Sequence, residues 1–375
     1  MAKKILLFMT SMALLFSCQM DGLDNPGEQI EDIFGGNWME SVSYMTMTSK
    51  TASDLFTQSM SLHLAGSGTA VIHWGDGSPI TNVSLTEIAP DDYIRHEYSK
   101  NGVYTVTVIG HTVTYLRCSS MILTKLDVSH NPLLKELYCF NNLFTTLDVS
   151  QNTALTHLDA KCTNITSLDV SNNPELTHLS VYITGITDLD VSNNRSLTRL
   201  ECMRTQLTHL DLSNNPALAY LDCSGNKLTH LDLSNNTALQ TLFCYDNHFA
   251  TLDLSNNREL KLLSCGKNWF TSLDLSQNSE LSFLACDKNR LTHLDLSKNI
   301  ALEALYCESN ALQSLDLSNN GALIWVCCEY NAFQIDGLNA LFDSLPTVKA
   351  GKILIDYNPG TSDKGLNKSV AQKKG

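Results

Sequence analysis

The sequence predicts a mainly β chain in which a repetitive solenoid of short strands follows a smaller all-β domain. From Val113 onward one unit recurs every 21 residues, the mark of stacked repeats. Between Trp38 and Gly110 apolar and polar residues alternate in runs separated by turn formers, as in Val103-Tyr104-Thr105-Val106-Thr107-Val108. The 375 residues are 43% hydrophobic and 17% charged, which suits packed domains and rules out a disordered chain. Lys and Arg number 25 against 39 Asp and Glu, a formal net charge of -14, which argues against wrapping nucleic acid.

Lys3 and Lys4 precede an apolar run from Ile5 to Phe16 that is too short to cross a hydrocarbon core of about 30 Å and reads as a secretory signal. The run ends in Leu15-Phe16-Ser17-Cys18, which resembles the lipobox of bacterial lipoprotein signal peptides. The resemblance implies cleavage after residue 17 and acylation of Cys18, so residues 1–17 are read as a lipoprotein signal peptide. Each buried CH₂ contributes about 0.8 kcal/mol, so several acyl chains hold a membrane stably. The acidic chain itself would be repelled by anionic headgroups. Residues 18–36, with Asp21, Asp24, Glu28, Glu31 and Asp32, read as an acidic tether. Acids soon after the cysteine resemble surface-export signals of some Gram-negative lipoproteins. The expected location is therefore across the inner membrane, anchored by lipid at the outer membrane or cell surface.

Residues 37–112 read as a small β-sandwich. Ile72-His73-Trp74-Gly75-Asp76-Gly77-Ser78 and His96-Glu97-Tyr98-Ser99-Lys100-Asn101-Gly102-Val103-Tyr104 resemble the WGDG and H-x-Y-x-x-x-G-x-Y motifs of PKD domains, which act as spacers or caps. Gly75-Asp76-Gly77 supplies a tight turn, and Gly102 is expected to relax the backbone before the last strand.

Residues 113–333 form the solenoid. The clearest copies are Leu207 to Lys227 and Leu228 to His248, each with a first half L-T-x-L-D-L-S-x-N and a second half L-x-x-L-x-C-x-x-N. Two short strands joined by two Asn-containing turns make a nested leucine-rich repeat. Asn131, Asn152, Asn173, Asn194, Asn215, Asn236, Asn257, Asn278, Asn299 and Asn320 recur in step and predict an asparagine ladder that satisfies backbone groups. Cys118, Cys139, Cys202, Cys223, Cys244, Cys265, Cys286, Cys307 and Cys328 form a second column, replaced by Ala160 and Val181 in two coils. This pattern closely resembles the internalin J-like family of surface leucine-rich repeat adhesins, which carry one inward cysteine per coil. The resemblance covers Val113 to about Phe333. It implies a right-handed leucine-rich repeat solenoid of parallel strands, and adhesion as its use.

Because Ala160 and Val181 take the same place, the cysteines are read as small core hydrophobes and free thiols. In-register side chains point the same way and fit a disulfide dihedral poorly. Cys162 and Cys327 fall off the ladder and are the ones expected to be reactive. The absence of a CxxC pair argues against zinc, and no cofactor is called for. A third column, Asp127 to Asp316 at the same spacing, is expected to point outward. It reads either as hydrogen-bonded to neighbouring Ser and Thr or as a divalent-cation ladder. His209-Leu210-Asp211-Leu212-Ser213 holds the residue types of a nucleophilic triad, but side chains two apart on one strand project in parallel and do not converge. No catalytic residue is assigned, and the chain is read as a non-enzyme.

The outward positions of the Cys half change in every coil. They place Tyr138, Tyr182, Arg199, Tyr220, Phe243, Tyr245, Phe283, Tyr306, Trp325 and Tyr330 on one face, the expected ligand-binding surface. The competing reading is that these rings only pack along their column, Tyr220 over Phe243 and Phe283 near Tyr306. The partner is expected to be protein or glycan at the cell surface, and a structural envelope role is the other alternative. Residues 334–375 read as a cap, with an amphipathic helix at Leu338 to Leu345, a last strand at Ile353-Leu354-Ile355, and a frayed tail from Ser362.

Overall fold

A computed structural model describes residues 43–51, 59–88, 92–110, 112–347, 351–362 and 365–374. The expected signal peptide, Cys18 and acidic tether lie outside the described residues. The chain divides into two compact units, Met1–Asn173 and Pro174–Gly375.

In the first unit β1 (Tyr44–Thr51), β2 (Ser59–Gly66), β3 (Thr69–His73), β4 (Thr81–Ser84), β5 (Ile94–Glu97) and β6 (Gly102–Ile109) precede the repeat. The coils begin with β7 (Val113–Arg117) and β8 (Leu123–Asp127), followed by β9 (Glu136–Tyr138) and β10 (His157–Asp159). One sheet runs β4-β3-β6-β1-β8. In the other, β5, β2 and β7 are successive antiparallel neighbours, and β7, β9 and β10 are parallel. The N-terminal strands thus cover the first coil twice: β1 pairs antiparallel with β8, and β2 with β7. Main-chain hydrogen bonds close strand edges that an uncapped solenoid would leave open. The core beneath holds Met45, Met47, Met60, Leu62, Ile72, Trp74, Tyr98, Val106 and Val108, each at most 2% exposed.

The two motif segments of this region fold into one cluster. The Tyr98 hydroxyl donates to the Trp74 carbonyl at 2.9 Å, and His96 stacks on Trp74 with its Nε2 2.7 Å from Asp76 Oδ2. Gly75 has φ +80°, and a Cβ there would lie 2.4 Å from the Thr105 carbonyl oxygen, so the turn requires glycine. Gly102 acts differently from expectation. It takes no left-handed conformation, and a Cβ there would press on the Tyr104 ring at 3.0 Å, so its value is room for that ring.

The second unit stacks β11 (His178–Ser180), β12 (Arg199–Glu201), β13 (Tyr220–Asp222), β14 (Thr241–Phe243) and β15 (Leu262–Ser264). It continues with β16 (Phe283–Ala285), β17 (Ala304–Tyr306), β18 (Trp325–Cys327) and β19 (Lys352–Leu354). Neighbours are parallel, and from β11 to β18 they are in register one repeat apart, Tyr220 facing Arg199 and Thr241; β19 pairs with β18 across 27 residues, Trp325 facing Lys352. Within a coil Leu218, Leu221, Cys223, Leu228, Leu231 and Leu233 all point inward and are at most 4% exposed. Burying a leucine contributes about 1.5–3 kcal/mol, so each coil is held by its neighbours' apolar faces rather than by its own turns.

Buried turns leave peptide groups to satisfy, and two asparagine ladders do so. In the first, Asn236 Nδ2 donates to the Leu212 and Asn215 carbonyls at 3.1 and 2.9 Å. The second follows the cysteines: Asn268 Nδ2 donates to the Cys244 and Cys265 carbonyls at 3.0 and 3.1 Å, while its Oδ1 accepts the Phe249 N–H. In three coils Thr163, Thr184 and Thr205 take this place, each hydroxyl donating to the carbonyl three residues earlier. Just before this position every coil has a residue in the left-handed region, from Ser120 (φ 61°), ahead of Met121, through Gly225 (67°) to Tyr330 (52°). The twist keeps the backbone in the ladder beyond the strand, as where Lys288 N–H donates to the Glu308 carbonyl at 2.9 Å.

The first half of the repeat departs from expectation. Beyond β8 it forms no strand among the described residues. Its Ser amide is bonded to the Asp two residues earlier, and its Asn amide to the carbonyl three residues earlier, as in Ser213 to Asp211 and Asn215 to Leu212. Ser129 and Asn131 make the same bonds beside β8, which is a strand because β1 pairs with it.

Helix α1 (Ile335–Ser344) packs Leu338, Leu341 and Phe342 into the core, and β19 adds the last strand. The tail is not frayed as expected: after a 3-10 turn (Pro359–Ser362) it forms helix α2 (Lys368–Lys374). The Asn339 side chain accepts the Asn367 N–H, and Lys374 Nζ donates to the Leu345 carbonyl at 2.9 Å, which ties this helix to the end of α1.

Candidate functional site

Parallel pairing puts the outward residues of each three-residue strand in straight columns, so side chains one repeat apart touch. In the first unit Tyr138 is half-buried, its ring 5.4 Å from Tyr115, and its hydroxyl donates to Glu136 Oε2 at 3.0 Å. Burial and that carboxylate push its phenol well above the usual range.

In the second unit two stacks form. The Arg199 guanidinium lies 3.6 Å over the Tyr220 ring and donates to the Glu201 carboxylate; Tyr220 meets Phe243 edge-on at 5.8 Å. Further along, Phe283, Tyr306 and Trp325 follow at 5.5 and 6.3 Å, with Lys352 Nζ 4.9 Å from the Trp325 ring. Tyr182 and Tyr245 are half-buried on the same face, and Tyr330, 51% exposed, stacks on Tyr357 at 4.2 Å. The rings do pack along their columns, as the competing reading has it, yet each keeps an outward edge. Charged groups fill the spaces between them. Burial raises the Asp222 carboxyl, and Lys267 reaches Asp246 at 2.7 Å.

The nine ladder cysteines are fully buried, and desolvation pushes their thiols far up. Cys162 is half-buried in the left-handed turn. Cys327 corrects the expectation of an accessible thiol: it is 6% exposed, and its pKa is pushed up to about 12, chiefly by burial and then by Glu308.

Every aspartate of the third column, Asp127 through Asp316, accepts the backbone N–H of the serine two residues on, ten bonds of 2.9 Å. These bonds lower the carboxyl pKa, for example at Asp211, Asp253 and Asp295. In the second unit a groove of about 460 Å³ opens here, lined by His230, Asp232, Thr251, Asp253, Asp274 and Gln277 among others. The small Thr251 stands where its neighbour coil has His230, and this difference was not anticipated as a groove. Among the described residues no three His, Cys, Asp or Glu side chains gather as a metal site.

No protein-family model matches the chain, and no curated protein sequence does. Solved structures do. The functional domain of InlJ from Listeria monocytogenes, which includes a cysteine ladder, is similar at 29% identity and TM-score 0.60, over 70% of this chain and 66% of that one. The chain thus spans just under two thirds of that domain's length. A leucine-rich repeat protein of Leptospira interrogans is similar at 18% identity and TM-score 0.56, over 66% and 73% of the two chains. YopM, a leucine-rich effector of Yersinia pestis, is similar at 20% identity and TM-score 0.53, over 65% and 78%. The fold is that of a mainly β leucine-rich repeat solenoid with parallel strands, and its structural neighbours are internalin J-like and other leucine-rich repeat proteins.

Proposed function

We propose that this chain is a non-catalytic cell-surface lipoprotein whose solenoid binds a protein partner on the outward face of the Cys-half strands, as an internalin-like adhesin does. One observation carries the reading. The Leu, Asp, Ser, Asn and Cys positions repeat because core and turns need them, whereas the outward strand positions differ from coil to coil and hold half-buried rings that the backbone does not need. Rings fixed by their neighbours offer contact area at small entropic loss. The lipobox-like Leu15-Phe16-Ser17-Cys18 supports the anchor, and the Trp74-His96-Tyr98-Asp76 cluster supports a PKD-like cap at the solenoid's N-terminal end.

The test is binding of the purified chain to mucin, matrix-protein and glycan panels, with the Tyr220, Phe243 and Tyr306 to alanine variant alongside. A loss of at least about tenfold in the variant is expected. Undiminished binding by the variant moves the site elsewhere. A hit confined to glycans would replace the protein partner by a sugar polymer.

A further inference from the structure

Past the left-handed turn that follows each Cys-half strand, the second unit presents another, narrower face. The amide of the residue after the ladder asparagine bonds one coil back, Lys227 to the Leu207 carbonyl, His248 to Leu228, Trp269 to Phe249 and Arg290 to Phe270, at 2.8–2.9 Å. These four residues therefore stand in one column at the strand spacing of about 4.8 Å. Two residues on, beyond a buried Leu or Phe, Thr229, Ala250, Thr271 and Thr292 form an exposed column beside it.

The first column holds groups that the coil does not need. The same place is Gln206 in the coil before and Ala311 in the coil after, so neither core nor turn asks there for an aromatic ring or a cation. His248 and Trp269 nonetheless stack at 4.8 Å with their planes 14° apart. That separation equals the coil spacing, so the rings stand as parallel plates, and the Trp269 face turned away from His248 looks along the column toward the Arg290 coil. Trp269 is 45% exposed. An indole left so far in water forfeits the gain of burying an aromatic, and a ligand laid on its open face recovers it.

Charge on this face has one sign. Among the described residues the ion pairs of the unit are Arg199–Glu201, Lys267–Asp246 and Lys288–Asp287, which leave the exposed Lys227 and Arg290 unused. Neither column holds an acid from residue 227 to residue 292, and Asp246, two places before His248, is already held by Lys267 at 2.7 Å. In a chain of net charge -14 this cationic strip, with a fixed ring and a row of threonine hydroxyls, stands apart.

The matching ligand combines an apolar ring face, an anion and hydroxyl groups. A pyranose that carries an acid group has all three: the C–H bonds of one ring face lie on the indole, the anion meets the planar Arg290 guanidinium, and ring hydroxyls meet Thr271 and Thr292. Linked pyranoses also advance by close to one coil spacing per ring, which carries further acid groups along the column toward Lys227. An acidic peptide supplies the charge without the ring face, and a nucleic acid brings more phosphate than two free cations on an acidic chain can hold. We propose that this face is a second binding site, separate from the strand face, that takes an acidic glycan with a sugar ring on Trp269 and its anion on Arg290.

The probes are a uronate tetrasaccharide and a sulfated tetrasaccharide without uronate, each titrated into the purified chain beside the uncharged tetrasaccharide. At least one anionic probe is expected to bind at least about tenfold more tightly than the uncharged one, and the tighter of the two identifies the anion as carboxylate or sulfate. Trp269→Ala should weaken that probe about tenfold and Arg290→Gln about fivefold. Lys298→Gln, the same loss of charge at an exposed position of the Leu-Asp-Leu-Ser half, should leave it unchanged. So should the Tyr220, Phe243 and Tyr306 variant, which keeps this site and the strand face separately readable. The proposal is overturned by equal affinity for charged and uncharged sugars, by undiminished binding in Trp269→Ala, or by a loss in Lys298→Gln equal to that in Arg290→Gln. An alternating alanine–glutamate decapeptide bound as tightly as the sugar would overturn it too, because charge alone would then suffice. Should Trp269→Ala not fold by circular dichroism, Trp269→Leu carries the same prediction.

Discussion

Ten aspartates make one and the same contact, each Oδ1 holding the amide of the serine two places on, while their side chains stay in water. At Asp211, Asp232 and Asp253 the bond to the charged form holds the folded carboxyl below its ordinary value of 3.8. A group with a lowered folded pKa contributes stability that is complete above the unfolded value and drains away as pH falls through the folded one. Urea midpoints are therefore expected to stay level from neutral pH to about 4.5 and to fall below 3.8. Asp232→Asn keeps an acceptor for the Ser234 amide but not the charge, so it should flatten that fall and start from a slightly lower midpoint at pH 7. A steeper fall in the variant would show that the carboxylate is not the titrating group. This column was half legible in the sequence: its outward direction and its serine partners follow from spacing, whereas the bond to the serine backbone, joined by the hydroxyl at Ser129, depends on a turn that alternation does not describe. The left-handed column was hidden for a plainer reason. Its occupants include Ile183, Lys267, Lys288 and Tyr330, residue types that carry no turn signal.

Elements reveal where pairing partners override pattern. Both halves of the repeat alternate equally well, yet only the Cys half makes strands throughout, its neighbours pairing in parallel, whereas the first half is a strand where it has a strand partner, at β8 against β1. The terminal helix α1 was legible from its apolar spacing, and α2 was not, since it buries none of its own residues and is tied by Lys374 and Asn339 instead. How closely α1 seats on the last coil rests on one glycine. A Cβ on Gly337 would stand 2.4 Å from the Gln313 carbonyl oxygen. Alanine ordinarily favours a helix over glycine by about 1 kcal/mol, but here the helix must lift off the coil, and Gly337→Ala is expected to lose about 2 kcal/mol overall, read as a lowered urea midpoint. A raised midpoint would mean that the contact yields freely.

For the molecule as a whole, stability is a sum of coils and of interfaces between neighbours. Asn268→Ala deletes three donor contacts and an acceptor inside the second unit, leaving the Phe249 amide buried without its acceptor and the Cys244 and Cys265 carbonyls with only Asn247 and Asn289 as side-chain donors. At about 1–3 kcal/mol for the orphaned amide, that coil should open before its unit does. Hydrogen exchange is expected to speed first at residues 244–270 and to spread outward along the unit, with residues 199–223 the slower to follow. Uniform acceleration across those residues would instead mark a single all-or-none core. The site was legible to a similar degree: the variable columns and their rings follow from counting, but their half-buried packing and the burial of Cys327 depend on which neighbours stand alongside. Finally, in-register stacking has a genetic consequence. Within a unit each side chain meets its own counterpart one repeat away, so a recombination event that removes or duplicates a whole coil brings equivalent residues together again. Reach across a partner can then lengthen or shorten in whole steps, while the recognition residues of the surviving coils are inherited intact.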